Sequence, residues 1–369
     1  MTRFLQSALW TAIVMTPVLP AHAQKPRQRA ELVYVANQSA DDVSAYSIRS
    51  GGALLAIAGS PFAAGGSPNS IAAVPSGRFV YVADVIPGGI SAFSVSETGV
   101  VTPIPGSPFP AATGTVFVTS DPSGRFLYAL NCGSDCSSSG AGNIEAFTID
   151  QQTGVLTSVA GSPFSAGNHP YSLAVDPTGH FAYVASADSD EVYAFAVDSQ
   201  SGALTQVGVP IAAGNRPLSV AVDPWGEYVY AANTGSSNVS AFAINFDGSL
   251  SGVKGSPFAV GAFTSGVTVS ANGRFVLVSA GPGVYVYSID SAGALHLLPE
   301  SPVAAGTGPN GISIDPNDAF VYVANGGSAN VSAYVFNNQS GKLTQVSGSP
   351  YAAGKFAAGI TTAVLPTHE

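Results

Sequence analysis

Two short motifs each recur seven times along this chain, and this periodicity restricts the possible folds more than any other feature of the sequence. The first motif is GSPF, whose exact and degenerate copies stand at residues 59–62, 106–109, 161–164, 208–211, 255–258, 300–303 and 348–351. Successive copies lie 45 to 48 residues apart, except for one spacing of 55 residues. A period of this length indicates one supersecondary unit repeated along the chain.

The second motif keeps step with the first and predicts the content of the unit. Its copies are LVYVAN (32–37), FVYVAD (79–84), FLYALN (126–131), FAYVAS (181–186), YVYAAN (228–233), FVLVSA (275–280) and FVYVAN (320–325). Most follow a turn such as DPSG, and each precedes a strand, a glycine-containing hairpin and a short last strand that ends at GSPF. The runs of apolar residues are typical of strands covered on both faces. Seven four-stranded antiparallel sheets covered by one another predict an all-β fold, a seven-bladed β-propeller, over residues 31–366.

The two ends of the propeller are expected to meet in one blade. The chain enters at a second-strand motif, and GITTAVLP (359–366) resembles the first-strand motif LAVDP. Pairing of this last strand with the N-terminal blade would close the ring and remove open sheet edges.

One insertion interrupts the repeat and explains the spacing of 55 residues. Residues 131–143 (NCGSDCSSSGAGN) extend a loop between the second and third strands of one unit. Cys132 and Cys136 are the two cysteines of the chain, and in an exported protein this spacing predicts a small-loop disulfide. Only Asp135 lies near them as a further ligand, so we expect no metal site.

The N-terminus and the charge predict where the protein works. Residues 1–23 combine Arg3, an apolar run and the ending Ala-His-Ala, which is typical of a signal peptide; a linker (24–30) follows, and 367–369 form a tail. We therefore expect a periplasmic or extracellular protein without a membrane span. A net charge of −10 argues against nucleic acid as a partner. We expect a monomer without a cofactor, whose partner at one face of the ring is a small molecule, a carbohydrate or a protein.

The GSPF motif is interpreted as a structural element. Its fourth residue is Phe, Ile, Val or Tyr, an exchange that a catalytic group would not tolerate but an apolar wedge would. Phe62, Phe109, Phe164 and Phe258 are expected to be buried between blades.

Repeated FVYVAN and DPSGRF units with GSPF-type connectors resemble the lactonase-type seven-bladed propellers, which include 6-phosphogluconolactonase, and the YVTN-repeat propellers. The resemblance implies acid/base residues at the funnel mouth, in motifs similar to PHS, GPRH and a later Asn-Glu pair. These motifs fall on residues 168–172 (NHPYS), 215–219 (NRPLS) and 233–234 (Asn-Thr). The expected histidine of the first motif is Tyr171, and the expected glutamate of the pair is Thr234, so the family's acid/base residues are absent from these positions.

His169 and Arg216 remain beside the expected positions and are the candidate catalytic residues. The inner-strand positions expected to face the funnel carry no charge: Asn69, Val116, Tyr171, Leu218, Ser265 and Asn310. The candidate ligand-binding residues among them are Tyr171, Asn69, Asn310 and Ser265. Asp188 and Asp190, on a neighbouring loop, are interpreted as solvated charges.

Two hypotheses follow for function. General acid/base catalysis needs a placed titratable group, and the neutral ring of funnel residues favours a non-catalytic binding scaffold. The alternative is an exported lactone hydrolase in which His169 and Arg216 act as the substitute acid/base and anion-binding groups.

Overall fold

The computed structural model describes residues 31–133, 136 and 140–365 of the chain. The predicted signal peptide, linker and tail lie outside the described residues, as do five residues of the insertion. No helix in the described ranges is long and apolar enough to cross a membrane.

The described chain consists of seven antiparallel sheets, numbered here as blades 1 to 7. Blade 1 contains β1 (Glu31–Asn37), β2 (Asp42–Ile48), β3 (Leu54–Ala56) and β4 (Phe62–Ala63). Blade 2 contains β5 (Gly66–Ala73), β6 (Phe79–Ile86), β7 (Gly89–Val95) and β8 (Val101–Pro103). Blade 3 contains β9 (Thr115–Ser120), β10 (Phe126–Asn131), β11 (Ala141–Ile149), β12 (Leu156–Ser158) and β13 (Phe164–Asn168).

Blades 4 and 5 contain β14 (Pro170–Val175), β15 (Phe181–Ser186), β16 (Glu191–Val197), β17 (Leu204–Gln206), β18 (Ile211–Ala212); and β19 (Pro217–Val222), β20 (Tyr228–Asn233), β21 (Asn238–Ile244), β22 (Leu250–Gly252), β23 (Phe258–Ala259). Blades 6 and 7 contain β24 (Thr264–Val269), β25 (Phe275–Ala280), β26 (Gly283–Ile289), β27 (Leu295–Leu297), β28 (Val303–Ala304); and β29 (Pro309–Ile314), β30 (Phe320–Asn325), β31 (Asn330–Asn337), β32 (Lys342–Gln345), β33 (Tyr351–Ala352). The last strand is β34 (Ala357–Val364).

The predicted ring closure is confirmed. The C-terminal strand β34 pairs antiparallel with β1, in a register that places Glu31 opposite Val364, and so forms the inner strand of blade 1. Each blade has the four predicted strands, and six blades add a short strand or strand segment that pairs with the third strand. The seven-bladed β-propeller predicted from the repeats is therefore the observed fold.

The tyrosine of the second-strand motif connects each blade to the next. Tyr34 of blade 1 donates its hydroxyl hydrogen to the carbonyl oxygen of Gly99 in blade 2 over 3.1 Å. The same bond recurs from Tyr81, Tyr128, Tyr183, Tyr230 and Tyr322 to the hairpin glycine of the following blade. Burial raises the pKa of each of these phenols, so they remain protonated donors at physiological pH. Blade 6 has Leu277 at this position, and its interface with blade 7 lacks the bond.

In six of the seven blades the serine of the GSPF motif connects the end of the blade to its third strand. In blade 3 the hydroxyl oxygen of Ser162 accepts a hydrogen bond from the backbone amide of Ala146 at 3.0 Å. Equivalent bonds join the motif serine to the third strand in five other blades. In these six copies the Ser-Pro peptide bond is cis. The motif serine therefore has a structural role, which the sequence interpretation of the motif, based on its fourth residue, did not include.

The expected burial of the motif phenylalanines is only partly correct. Phe109 is buried, whereas Phe62, Phe164 and Phe258 are half-buried at the outer margin of the clusters between blades. The motif lies near the outside of the propeller. There the next blade covers one face of the phenyl ring, and solvent reaches the other face.

Candidate funnel site

A β-bulge at the mouth end of every inner strand positions the side chains of the candidate site. The pairing between inner and second strand shifts register at the same place in all seven blades, for example between Pro170 and Ser172 of β14. A bulge sets two residues against one and redirects a side chain away from the regular alternation. Here the bulge contains Tyr171, and in other blades it contains Asn69, Leu218, Ser265 or Asn310.

These bulge residues surround a cavity of about 490 Å³ in the centre of the ring. All four predicted ligand-binding residues line it: Tyr171, Asn69, Asn310 and Ser265. Val116, which was expected only to face the funnel, is instead buried in the protein, and the next residue, Phe117, lines the cavity.

The lining combines aromatic rings with neutral polar groups. Phe117, Tyr171 and Phe356 supply the rings. None of the described residues that line the cavity carries a formal charge. Most ligand pockets likewise combine apolar and aromatic walls with a few placed polar groups that fix orientation.

The polar groups of the cavity differ in whether they are already engaged. The amide of Asn69 donates to the carbonyl oxygen of Val116 at 2.8 Å and accepts from Gln38 at 3.4 Å. In contrast, the side-chain hydroxyls of Tyr171 and Ser265 and the side-chain amide of Asn310 have no hydrogen-bond partner among the described residues. These three half-buried groups are therefore available to a ligand.

His169 and Arg216 lie beside the cavity rather than in its lining. Each directly precedes the first proline of an inner strand, two residues before Tyr171 and Leu218, and each has a left-handed backbone, with φ of 52° and 53°. This conformation is uncommon for residues other than glycine, and it costs roughly 1–2 kcal/mol. The ring of His169 lies 5.8 Å from that of Tyr171, and the side chain of His169 is buried.

Asp188 connects the two candidate catalytic residues. One oxygen of its carboxylate lies 3.4 Å from Nδ1 of His169, and the other lies 4.0 Å from Nη1 of Arg216. The interpretation of Asp188 and Asp190 as solvated loop charges is therefore only partly correct, because both residues also have partners in the protein. Asp188 is exposed as a residue, but its side chain is only 22 % exposed and pairs with His169 and Arg216. Asp190 accepts a hydrogen bond from the backbone amide of Arg216 at 2.8 Å.

The insertion borders the same side of the mouth. Cys132 and Cys136 are joined by a disulfide, and the carbonyl oxygen of Gly140 accepts a hydrogen bond from the amide of His169 at 3.2 Å. The insertion also lengthens β11 and β13, which pair as far as Ala141 and Asn168. The described residues contain no group of three or more His, Cys, Asp or Glu side chains suited to a metal ion.

The closed ring of seven four-stranded blades with a central funnel defines a class of protein, the seven-bladed β-propellers. Within it, the chain belongs to the lactonase family: the family model described as "Lactonase, 7-bladed beta-propeller" matches residues 94–216 and 254–357. The resemblance deduced from the repeats is thus confirmed. No curated protein sequence matches the chain.

Solved structures with the same fold come from several bacteria. The periplasmic gluconolactonase PpgL of Pseudomonas aeruginosa is 18 % identical, covers 91 % of this chain and 100 % of its own, and superposes with a TM-score of 0.75. A protein of Bacteroides uniformis proposed to be a 6-phosphogluconolactonase is 16 % identical, with coverage of 91 % and 100 % and a TM-score of 0.76. A similarly described protein of Bacteroides fragilis is 17 % identical, with coverage of 92 % and 99 % and a TM-score of 0.74. At these identities the likeness establishes the fold.

Proposed function

We propose that the protein is a binding scaffold that holds a small, uncharged molecule rich in hydroxyl groups, such as a sugar or a sugar lactone, at the mouth of its funnel. One observation carries the proposal: the cavity brings aromatic rings together with unpaired neutral donors and acceptors, and no charged side chain stands among its described lining residues. A charged ligand would lose its hydration there without gaining a counter-charge. A hydroxylated ring exchanges its water hydrogen bonds for those of Tyr171, Ser265 and Asn310 and covers the aromatic surface.

Calorimetric titration with matched ligands tests this proposal. Neutral hexoses and aldonolactones are expected to bind, and their 6-phosphates are expected to bind more weakly. Tyr171→Phe and Asn310→Ala each remove one neutral hydrogen bond, about 0.5–1.5 kcal/mol, so each should weaken binding by roughly 2- to 13-fold. Trp225→Ala serves as the matched control, because Trp225 is exposed in the turn after β19, at the end of the inner strand away from the bulge. Equal affinity of all variants, or preference for the phosphates, would refute the proposal.

The alternative is lactone hydrolysis, and the pairing of Asp188 with His169 favours it. In that reaction His169 would remove a proton from the attacking water, Asp188 would orient the imidazole through Nδ1, and Arg216 would stabilise the developing oxyanion. The bond between the carbonyl carbon and the ring oxygen of the lactone would then break, and His169 would return the proton to the departing ring oxygen, so that a hydroxy acid forms. Family membership supports this alternative, whereas the burial of His169 and its position beside the cavity weigh against it.

Acid release from a panel of lactones decides between the two functions. The scaffold proposal predicts no turnover above the uncatalysed rate. Turnover that disappears in His169→Ala and falls in Asp188→Asn would replace the scaffold with a hydrolase. Arg216→Gln separates the two roles of that site, because loss of the guanidinium should lower kcat without removing sugar binding in the funnel.

We also propose export, because residues 1–23 have the pattern of a cleaved signal peptide. The relative from Pseudomonas aeruginosa is named as periplasmic, which agrees with this proposal. Sequencing of the secreted or periplasmic protein should show Gln24 as the first residue. A mature chain that begins at Met1 would contradict it.

A further inference from the structure

The interface between blades 6 and 7 departs from the repeat at two adjacent places. Leu277 replaces the tyrosine that otherwise reaches the next blade. Val303 occupies the fourth position of the GSPF motif, where four copies have phenylalanine and another has tyrosine. Both replacements exchange an aromatic ring for a smaller aliphatic side chain at the same interface.

The other blades show what normally fills this position. In blade 1 the ring of Phe62 lies over Gly59 of its own motif, so that a methyl group added to the glycine would stand 3.3 Å from Cε1 of the ring. The same ring-over-glycine contact occurs at Gly106, Gly161 and Gly255. In each case the ring covers the glycine of its own motif and lies in, or packs against, the apolar cluster that the blade shares with the next one.

At the corresponding end of blade 6, beside Val303, the structure has a cavity of about 260 Å³. Val286, Leu298 and Val303 line it from blade 6, and Leu343 lines it from blade 7. Glu300 is the first residue of the motif in blade 6, and all six other copies have a glycine with positive φ at this position. Glu300 and Lys342 form an exposed ion pair of 3.5 Å in the lining, and the cavity shares no residue with the funnel.

We propose that this slot binds a small molecule with a single aromatic ring, of the size of phenol. The repeat itself is the template, because five sister blades carry a phenyl or phenol ring at the motif position that Val303 occupies in blade 6. Its volume exceeds the roughly 150 Å³ at which an apolar cavity in another protein binds benzene. A ring in the slot contacts aliphatic side chains on both blades, and a polar substituent meets Lys342 or Glu300 at the edge. The volume suits one ring rather than a stretch of polypeptide, so the occupant is a free small molecule.

Titration of phenol, followed by protein NMR, tests this site with a simple probe. The wild-type protein should show saturable shifts for residues around Val303 and Leu343. Val303→Phe restores the ring of the repeat and should abolish those shifts while raising the urea midpoint of unfolding. Val303→Leu fills less of the slot and should weaken binding without abolishing it. Ile211→Phe makes the same kind of change in the GVPI copy of blade 4 and should leave phenol binding unchanged.

A crystal soaked with 4-bromophenol locates the ring directly through the anomalous signal of bromine. Bromine between Leu298 and Leu343 supports the proposal. Absence of saturable shifts in the wild type, undiminished binding by Val303→Phe, or bromine only in the funnel would overturn it. Binding of a phenylalanine-containing peptide without binding of phenol would also overturn it, because the slot would then be a contact for a protein.

Discussion

Gly51 and Gly52 are adjacent residues in the hairpin between β2 and β3, and they provide a matched pair for testing how blades pack. Both have positive φ angles, 85° and 84°, so alanine at either position costs about 1–2 kcal/mol of backbone strain. Their surroundings differ. A Cβ atom at Gly51 meets nothing within 4 Å, whereas one at Gly52 would lie 2.4 Å from Cδ1 of Phe320 in blade 7.

The expected cost at Gly52 is therefore larger. Overpacking against the phenylalanine ring adds about 1–3 kcal/mol. A shift of the turn to relieve it would strain the 3.0 Å hydrogen bond from Tyr322 to the carbonyl oxygen of Gly52, a bond contributing about 1 kcal/mol. Gly51→Ala should lower the free energy of unfolding by about 1–2 kcal/mol and Gly52→Ala by about 3–5 kcal/mol.

Urea denaturation followed by tyrosine fluorescence measures both variants against the wild type. A double-mutant cycle with Phe320→Ala isolates the contact, since removal of the ring should reduce the cost of Gly52→Ala to that of Gly51→Ala. Equal destabilisation by the two glycine variants, or no coupling to Phe320, would refute the packing argument.

Three further predictions follow from the structure. Burial raises the pKa of Asp84 from about 3.8 to about 6, so its contribution to stability is full below pH 4 and lost as the pH rises through about 6. Four sister repeats have asparagine at this position, and Asp84→Asn should be more stable than the wild type at pH 7 by up to about 3 kcal/mol but no more stable at pH 4. Urea denaturation at both pH values measures the difference. Ser162→Ala leaves a third-strand amide without its acceptor and should cost about 1–3 kcal/mol in thermal or urea melts, whereas Val209→Ala, at the exposed equivalent position, should cost under 0.5 kcal/mol. Deletion of 358–369 removes most of β34 and exposes β1, so the truncated protein should melt at a lower temperature and aggregate, and a wild-type melting curve would contradict the ring closure.

The architecture was predictable because it repeats. Seven copies of one pattern average out local ambiguity, and the second strand of each blade is apolar on both faces since neighbouring blades cover it. The closing role of β34 could also be deduced. Its sequence matches an inner strand, and the first repeat of the propeller begins with its second strand, so its own inner strand is missing at that point of the chain.

Part of the site was predictable for the same reason. Tyr171, Asn69, Asn310 and Ser265 were found by their place in the repeat, and all four line the cavity. The repeat did not reveal that Asn69 is already hydrogen-bonded to Val116 of the next blade. Its expectation that Val116 faces the funnel was wrong. Inside a bulge the direction of a side chain depends on packing and not on strand alternation.

Asp188 shows the limit of reasoning from sequence most clearly. It lies on the loop between β15 and β16, whereas its partners precede β14 and β19 in two different blades. Nothing in the spacing of these residues along the chain indicates that they meet.

The number of blades, their strand order and the closure of the ring follow from the amino-acid repeats, because periodic apolar strands with turn residues at fixed offsets have one way to cover one another. Three features depend on the folded arrangement: which polar groups of the mouth are free, the carboxylate of Asp188 between His169 and Arg216, and the open slot between blades 6 and 7. These features arise from contacts between blades, whose geometry depends on the volumes and charges of residues far apart in the chain.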